Sequence, residues 1–167
     1  MRKVVFFTIG TVIGLVALLT LIGLTLPVGH RATRTATYAA PPDRVFALIA
    51  DVQQYATWRP DVTTVEILPA EGGLLRFREH GANGPIVFRV ETSMPPQRFV
   101  VRIADPSQPF GGTWTHELRP VGQGGTEHTI TEDGEVYNPI FRTLSRFVFS
   151  PTASIEAFQL ALSRRAR

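Results

Sequence analysis

A run of 23 uncharged and mostly apolar residues, at positions 4–26, constrains this chain more than any other feature. As an α-helix with a rise of about 1.5 Å per residue, it would be roughly 35 Å long. That length is sufficient to cross the hydrocarbon core of a bilayer, which is about 30 Å thick. Because the run is apolar on every face, it suits lipid better than the surface of a soluble protein. We therefore predict that residues 1–30 form a membrane anchor, with residues 4–26 in contact with the bilayer.

A cleaved signal peptide is the alternative interpretation of the same run, and two observations disfavour it. The apolar stretch of a signal peptide usually has about 7–15 residues, which is fewer than the run found here. The nearby sequence Arg34-Thr35-Ala36 ends in alanine but places a charged residue where a small one is required for cleavage. We therefore favour a retained anchor over a signal peptide.

The residues in and around the anchor also predict its orientation in the membrane and its association with a second copy of the chain. Basic residues flank the run on both sides, with Arg2 and Lys3 before it and Arg31 and Arg34 after it. Together with the α-amino group, they favour a cytoplasmic amino terminus by the positive-inside rule. We predict a single-pass protein of a bacterial inner membrane, with its soluble domain outside the cytoplasm. Gly10 and Gly14 have the spacing that lets two membrane helices approach closely, so a homodimer through this helix is a further hypothesis.

The distribution of charge excludes a general nucleic-acid binder. The chain carries a net charge of +3, but four of its 17 basic residues lie within the first 34 positions. From Thr35 onward, 13 arginines face 14 acidic residues, so the soluble part has no basic surplus. Cysteine is absent, which excludes disulfides, thiolate metal sites and a cysteine nucleophile.

The remaining chain divides into a juxtamembrane linker at residues 31–34 and one soluble domain at residues 35–167. After a first strand, helical spacing begins near Pro42 and a second short helix is expected at residues 53–57. The hydrophobic period then changes to two, which predicts six strands at residues 62–68, 72–80, 85–92, 99–103, 113–118 and 126–132. Because the connections between them are short, we expect antiparallel pairing.

Helical spacing returns in the last thirty residues. Asn138 is a typical capping residue, and Pro139 suits the first helical position. An apolar stripe follows, formed by Phe141, Leu144, Val148, Ile155, Phe158 and Leu162, and we expect it to pack on the sheet. Pro151 either kinks this helix or marks a second helix capped by Ser150. The predicted fold is therefore α+β, with a curved antiparallel sheet of six to seven strands around a long C-terminal helix.

Strand alternation predicts which side chains face that helix. One face of the sheet carries Leu75, Phe77, Ile86, Phe88, Val90, Trp114, His116, Leu118, His128, Ile130 and Glu132. A mostly apolar concave surface with a few polar groups is typical of a small-molecule pocket. The candidate ligand-binding residues are Trp58, Leu75, Phe77, Phe88, Trp114, His116, His128, Ile130 and Phe158. The alternative is that both tryptophans and both histidines are packing residues of the core. His80 is expected on the outer face, and His30 at the membrane interface.

The sequence lacks the common motifs for metals, dinucleotides and phosphates, so we expect no cofactor and no metal site. Acid–base chemistry is the exception, because His116, His128 and Glu132 lie on one predicted face. If these three side chains converge in an apolar pocket, they could transfer protons.

Several segments, in this order, resemble the START-related helix-grip superfamily, also called SRPBCC or polyketide cyclase/dehydrase-like. The resemblance covers residues 35–167 and is carried by residues 40–51, 58–62, 111–115, 129–135 and 138–141. It implies a curved sheet that grips the last helix and leaves a cavity for a hydrophobic molecule. The implied function is a membrane-anchored module that binds a lipid-like, quinone-like or polyketide-like molecule. The alternatives are a cyclase or isomerase that uses His116, His128 and Glu132, and an adaptor whose cavity is filled.

Overall fold

The computed structural model describes residues 2–82 and 84–167, with side chains from Thr8 onward. The helices in this part of the chain are α1 (Arg2–Thr25), α2 (Pro42–Ala50), α3 (Tyr55–Trp58), α4 (Pro139–Phe147) and α5 (Ala153–Ser163), with a 3₁₀ turn at Val52–Gln54. The strands are β1 (Gly29–Tyr38), β2 (Val62–Glu71), β3 (Leu74–Gly81), β4 (Gly84–Met94), β5 (Arg98–Ile103), β6 (Phe110–Val121) and β7 (Gly125–Val136).

The strands form one curved antiparallel sheet in the order β1-β7-β6-β5-β4-β3-β2. Strands β2 to β7 follow one another as a meander, as their short connections predict. The first strand pairs with the last, so that Gly29 lies opposite Glu135 and Tyr38 opposite Thr126. The helices α2 and α3 carry the chain from β1 to the far edge of the sheet. The predicted α+β helix-grip fold is confirmed.

Strand β1 begins at Gly29, so residues 31–34, which were expected to form a linker, lie within the sheet. Only three residues separate the end of α1 from this strand. His30 consequently lies on the sheet, opposite Gly134, rather than in a free juxtamembrane segment. A side chain at Gly134 would collide with the His30 ring, so the glycine makes room for the imidazole.

The core lies between the sheet and the helices α2 and α5. Ile155, Phe158 and Leu162 of α5 are buried, as the predicted apolar stripe requires. Val45 and Ile49 of α2 are completely buried as well. Burial of each such side chain stabilises the fold by about 1.5–3 kcal/mol. The packing of these two helices therefore sets the distance between the sheet and the helices that cover it.

The C-terminal helical region is divided into α4 and α5, which is the second of the two alternatives that Pro151 left open. Asn138 caps α4 by accepting a hydrogen bond from the backbone N–H of Phe141 at 3.0 Å, as predicted. The break contains Pro151, and the residue that precedes α5 is Thr152 rather than Ser150. The prediction that Phe141 and Val148 pack on the sheet is wrong, because both are exposed. The break turns α4 away from the sheet and towards α1.

The contact between α1 and α4 depends on Gly23. A side chain at this position would collide with the carbonyl of Pro139. Near the same point, the Arg142 guanidinium donates to the carbonyl oxygens of Gly23 at 3.0 Å and Leu26 at 3.1 Å. Nearer the amino terminus of α1, Gly10 has no described atom within 4 Å of the place where a side chain would begin. Homodimerisation through this part of α1 stays a prediction.

Candidate functional site

A cavity of about 470 Å³ lies between the sheet and the helices α3, α4 and α5. Its walls are mainly apolar, and Phe77, Phe88, Trp114 and Phe158 supply aromatic surface. Five of the residues that line it are exposed and mark its mouth, namely Asp61, Ala82, Phe141, Ser154 and Ala157. The mouth therefore lies between the C-terminal helices and the ends of β2 and β3.

Five of the nine candidate ligand-binding residues line this cavity: Phe77, Phe88, Trp114, His116 and Phe158. The other four, which are Trp58, Leu75, His128 and Ile130, do not line it. Trp58 lies behind the wall, with its ring 5.4 Å from that of Phe158. Leu75 is exposed at the start of β3, and Ile130 is fully buried in the core. The alternation of side chains along the strands thus identified the face of the sheet that lines the cavity. It could not show how far along each strand the cavity extends.

His116 and His128 form a buried pair. Their ring planes are within 9° of parallel, and Nδ1 of His116 lies 3.1 Å from Nε2 of His128, so the two rings meet edge to edge in a hydrogen bond. Burial and the neighbouring His128 and Arg59 hold the pKa of His116 well below its usual range. Burial lowers the pKa of His128 to about 4. Both rings are therefore neutral at pH 7.

The surrounding hydrogen bonds are compatible with the following arrangement of the protons of this pair. The Tyr38 hydroxyl lies 3.5 Å from the carbonyl oxygen of Gln159, which can only accept. A Tyr38 hydroxyl that donates to this oxygen accepts from Nδ1 of His128, also at 3.5 Å. A neutral His128 then accepts at Nε2 from the Nδ1–H of His116. The Nε2 atom of His116 is left with a lone pair, and His116 is the member of the pair that lines the cavity.

Glu132 pairs with His30 rather than with the two core histidines, so His116, His128 and Glu132 do not converge, which was the condition for joint acid–base chemistry. Nε2 of His30 lies 3.5 Å from Oε1 of Glu132, and both residues line the cavity. Oε2 of Glu132 is buried without a hydrogen-bond partner among the described residues. Burial raises the pKa of this carboxyl, and His30, Ser154 and Trp114 offset part of the effect. The cavity therefore contains a carboxyl group whose proton is held more tightly than usual.

A second charged cluster, which the sequence analysis missed, lies at the other end of the cavity. Arg59 donates to Oε1 of Glu79 at 2.8 Å and to Oδ2 of Asp61 at 2.6 Å. Its guanidinium also lies 4.9 Å from the centre of the Tyr55 ring. Burial raises the pKa of Glu79, and the charge of Arg59 opposes this. Glu79 lies two residues after the inward-facing Phe77 on the same strand. Strand alternation could therefore have identified Glu79 as a residue of the inner face.

Of the two remaining histidines, His80 differs from its predicted position, and the place of His30 at the membrane interface stays a prediction. His30 and His80 both line the cavity, although His80 was expected on the outer face and its side chain is partly exposed, 3.9 Å from Glu66. Within residues 2–82 and 84–167, no three His, Asp or Glu side chains come together in a way that could hold a metal ion.

The fold and the cavity define a helix-grip protein, and comparisons with known proteins place it more closely. Residues 29–163 match the family described as "Polyketide cyclase / dehydrase and lipid transport", and the chain belongs to this family. The resemblance noted in the sequence is confirmed. Membership supports a role either in binding a hydrophobic ligand or in cyclisation.

One curated relative is the granaticin polyketide synthase bifunctional cyclase/dehydratase of Streptomyces violaceoruber. It is 35% identical over 114 residues, which cover 64% of this chain and 34% of the relative. The chain therefore spans about a third of the length of that protein.

Solved structures with low sequence identity share the fold. The Zhui aromatase/cyclase from Streptomyces sp. R1128 has a TM-score of 0.66 and 20% identity, over 83% of this chain and 93% of that one. A START superfamily protein from Mycobacterium smegmatis has a TM-score of 0.62 and 19% identity, over 82% and 97%. Norcoclaurine synthase from Thalictrum flavum has a TM-score of 0.65 and 11% identity, over 87% and 90%.

Proposed function

We propose that this protein binds an apolar small molecule in the cavity between the sheet and the C-terminal helices. The observation that carries the proposal is a cavity of about 470 Å³ with mainly apolar walls and a few polar groups. A pocket of this kind excludes water from an apolar ligand, while its polar atoms fix the orientation of the ligand. Nε2 of His116 and Oε2 of Glu132 are the atoms available for that purpose. The expected ligand is lipid-like, quinone-like or polyketide-like.

The helix α1 is proposed to tether this cavity to a bacterial inner membrane. The segment Thr8–Thr25 is long and apolar enough to cross a bilayer, and little of it is buried by the rest of the chain. A signal sequence at the amino terminus would have the same properties. A tether would hold the cavity next to the bilayer, where apolar molecules are concentrated, and would raise their effective concentration at the mouth.

A cyclase or isomerase is the second candidate, and Glu132 favours it. This carboxyl lies in the cavity, one of its oxygens is unpaired, and burial raises its pKa. A carboxyl group with a raised pKa can accept a proton from a bound substrate and return it at another atom. His116 could hold a substrate hydroxyl through Nε2, but it does not contact Glu132, so the two groups would act separately.

The ligand proposal is tested by native mass spectrometry of the full chain purified in detergent, followed by extraction of any bound molecule. Ala157 lines the cavity, whereas Leu160 on the same helix is exposed. We expect an apolar molecule to accompany the wild-type protein and the control Leu160→Trp, and to be lost from Ala157→Trp, whose indole blocks the mouth of the cavity. Equal retention by Ala157→Trp would contradict the proposed site. If the wild-type protein converts the extracted molecule and Glu132→Gln does not, the enzyme is the better interpretation.

The tether is tested by expressing the full chain in bacteria. An intact chain that stays in the membrane fraction after a carbonate wash supports the anchor. A soluble chain trimmed after residue 30 would identify a signal peptide instead. An alkaline phosphatase fused after Arg167 is expected to be active, because the proposed topology exports the domain; an inactive fusion would place the domain in the cytoplasm.

A further inference from the structure

The segment around α4 exposes an apolar surface that extends beyond the mouth of the cavity. Four of its side chains form this surface, the α4 patch, with exposed fractions of 46% for Phe141, 68% for Phe147, 66% for Val148 and 53% for Phe149. Scattered apolar residues are normal on a protein surface, whereas a contiguous group with three phenylalanines indicates a binding partner. The position of α4 against α1 identifies that partner.

The helix α4 runs antiparallel along the carboxyl-terminal half of α1. Pro139, at the start of α4, lies against Gly23. One turn later, the Thr143 hydroxyl donates to the carbonyl oxygen of Leu19 at 2.8 Å. A step of four residues forward in α4 thus corresponds to four residues backward in α1. One further turn brings Phe147 to the level of Leu15.

This register sets the depth of the α4 patch. At about 1.5 Å per residue, Leu15 lies roughly 15 Å before Thr25, and the hydrocarbon core of a bilayer is about 30 Å thick. If α1 spans the bilayer, the end of α4 therefore reaches well into the same leaflet. Leu15 itself is exposed, as a side chain in contact with lipid should be.

Water is absent from the hydrocarbon region, so polar groups there need hydrogen-bond partners within the protein. The polar side chains of α4 have such partners or can extend out of this region. Beyond its bonds to α1, Arg142 donates to the carbonyl oxygens of Val136 at 2.9 Å and Tyr137 at 3.1 Å. The Ser145 hydroxyl donates to the carbonyl oxygen of Arg142 at 3.0 Å. Arg146 is exposed, and its long stem carries the guanidinium towards the lipid headgroups.

We propose that the α4 patch is inserted into the leaflet beside α1, so that the cavity opens directly to the bilayer. Phe141 belongs both to the patch and to the mouth of the cavity, and Ser145 of the same helix lines the interior. An apolar molecule can therefore pass from the leaflet along α4 into the cavity without crossing water. This inference rests on the proposed function, because it requires α1 to be embedded in the membrane.

The chain contains no cysteine, so a single introduced cysteine gives a unique labelling site. The full chain would be reconstituted into vesicles of phosphatidylethanolamine and phosphatidylglycerol, with an NBD label at Phe141→Cys, Phe147→Cys or Phe149→Cys. Leu15→Cys reports on α1, and Gln123→Cys, in the exposed turn between β6 and β7, reports on water. Quenching by lipids that carry a doxyl group on the acyl chain is compared with quenching by aqueous iodide.

We expect the three patch positions to behave like Leu15→Cys, with strong quenching by doxyl lipid and little by iodide, and Gln123→Cys to show the reverse. If Leu15→Cys reports lipid while the patch positions report water, the inserted patch is wrong and the anchor stands. Protection of the patch from both quenchers would also overturn the inference, because a second protein chain would then cover it. If Leu15→Cys itself reports water, the anchor fails, and the inserted patch fails with it.

Discussion

The imidazole of His116 meets that of His128 edge to edge, with Nδ1 and Nε2 separated by 3.1 Å in the buried centre of the domain. Only one of these two nitrogens can carry the proton of their hydrogen bond. If both nitrogens were protonated, two donors would face each other in a site with little solvent. The pair is therefore a neutral element of the core that presents one nitrogen atom to the cavity.

This pair predicts that the protein loses stability as the pH falls below about 6.5. The unfolded chain binds protons at its histidines near the ordinary pKa of 6.5, whereas in the folded protein the pKa of His128 is about 4 and that of His116 is also lowered. Between these values the unfolded state binds more protons, so the free energy of unfolding falls by up to about 1.4 kcal/mol per pH unit for each histidine. Urea unfolding at several pH values measures the effect.

The matched control for this prediction is the double variant His116→Gln, His128→Gln, which cannot titrate at these positions. Glu79 and Glu132 have raised pKa values, so their protonation increases the free energy of unfolding as the pH falls. The reason is that protonation removes a buried charge. Their contribution is common to both proteins and cancels in the difference. The prediction fails if the double variant loses as much stability as the wild-type protein between pH 6.5 and pH 4.

Phe158 of α5 belongs to the buried core and also lines the cavity. It is only 4% exposed, and its ring lies 5.2 Å from that of His116. We expect Phe158→Ala to lower the free energy of unfolding by about 3–5 kcal/mol, because a large buried ring is removed. The exposed Leu160, in the same helix, provides the control Leu160→Ala, which should change stability by less than about 0.5 kcal/mol. Similar unfolding curves for the two variants would contradict the packing described here.

The order of elements could be predicted from the sequence because the hydrophobic period changes clearly along it. The alternation around Trp114 and Ile130 indicated the inner face of the sheet, and the Asn138-Pro139 pair marked the start of α4. The position of α4 could not be predicted, since Phe141 and Val148 have helical spacing with Ile155 and the period does not show where a helix changes partner. Its contact with α1 depends on a single small residue, Gly23.

The candidate site was predicted in part for a similar reason. Parity placed His116 and Glu132 on the inner face, but it could not specify that His128 would be the partner of His116. The pairing of Glu132 with His30 depends on β1 extending back to Gly29, beyond the predicted boundary of the domain. Pairing between the first and last strands is a long-range property, and no local pattern in the sequence reports it.

Glu132 separates the two proposed functions. Glu132→Gln retains the size of the side chain but replaces one carboxyl oxygen by an amide NH2 group, which cannot take up or release a proton in this way. For a binding protein, we expect the variant to retain the molecule extracted from the wild-type protein, with a change in affinity of less than about tenfold. For a cyclase or isomerase, binding should persist while turnover falls by about 10²–10⁴-fold. Isothermal titration with the extracted molecule, together with mass spectrometry of the products, measures both quantities.

Gly23 controls whether α4 stays beside α1. We expect Gly23→Ala to separate the two helices, because the added methyl group would occupy the position of the Pro139 carbonyl, which is backbone and cannot rotate away. The hydrogen bonds of Arg142 and Thr143 to α1 would be lost together, and the backbone amides of α4 would exchange faster with deuterium. Gly14→Ala is the matched control, since no described atom lies within 4 Å of its added carbon. Hydrogen exchange of both variants in the same detergent gives the measurement, and unchanged protection of α4 in Gly23→Ala would show that this contact does not hold the helix in place.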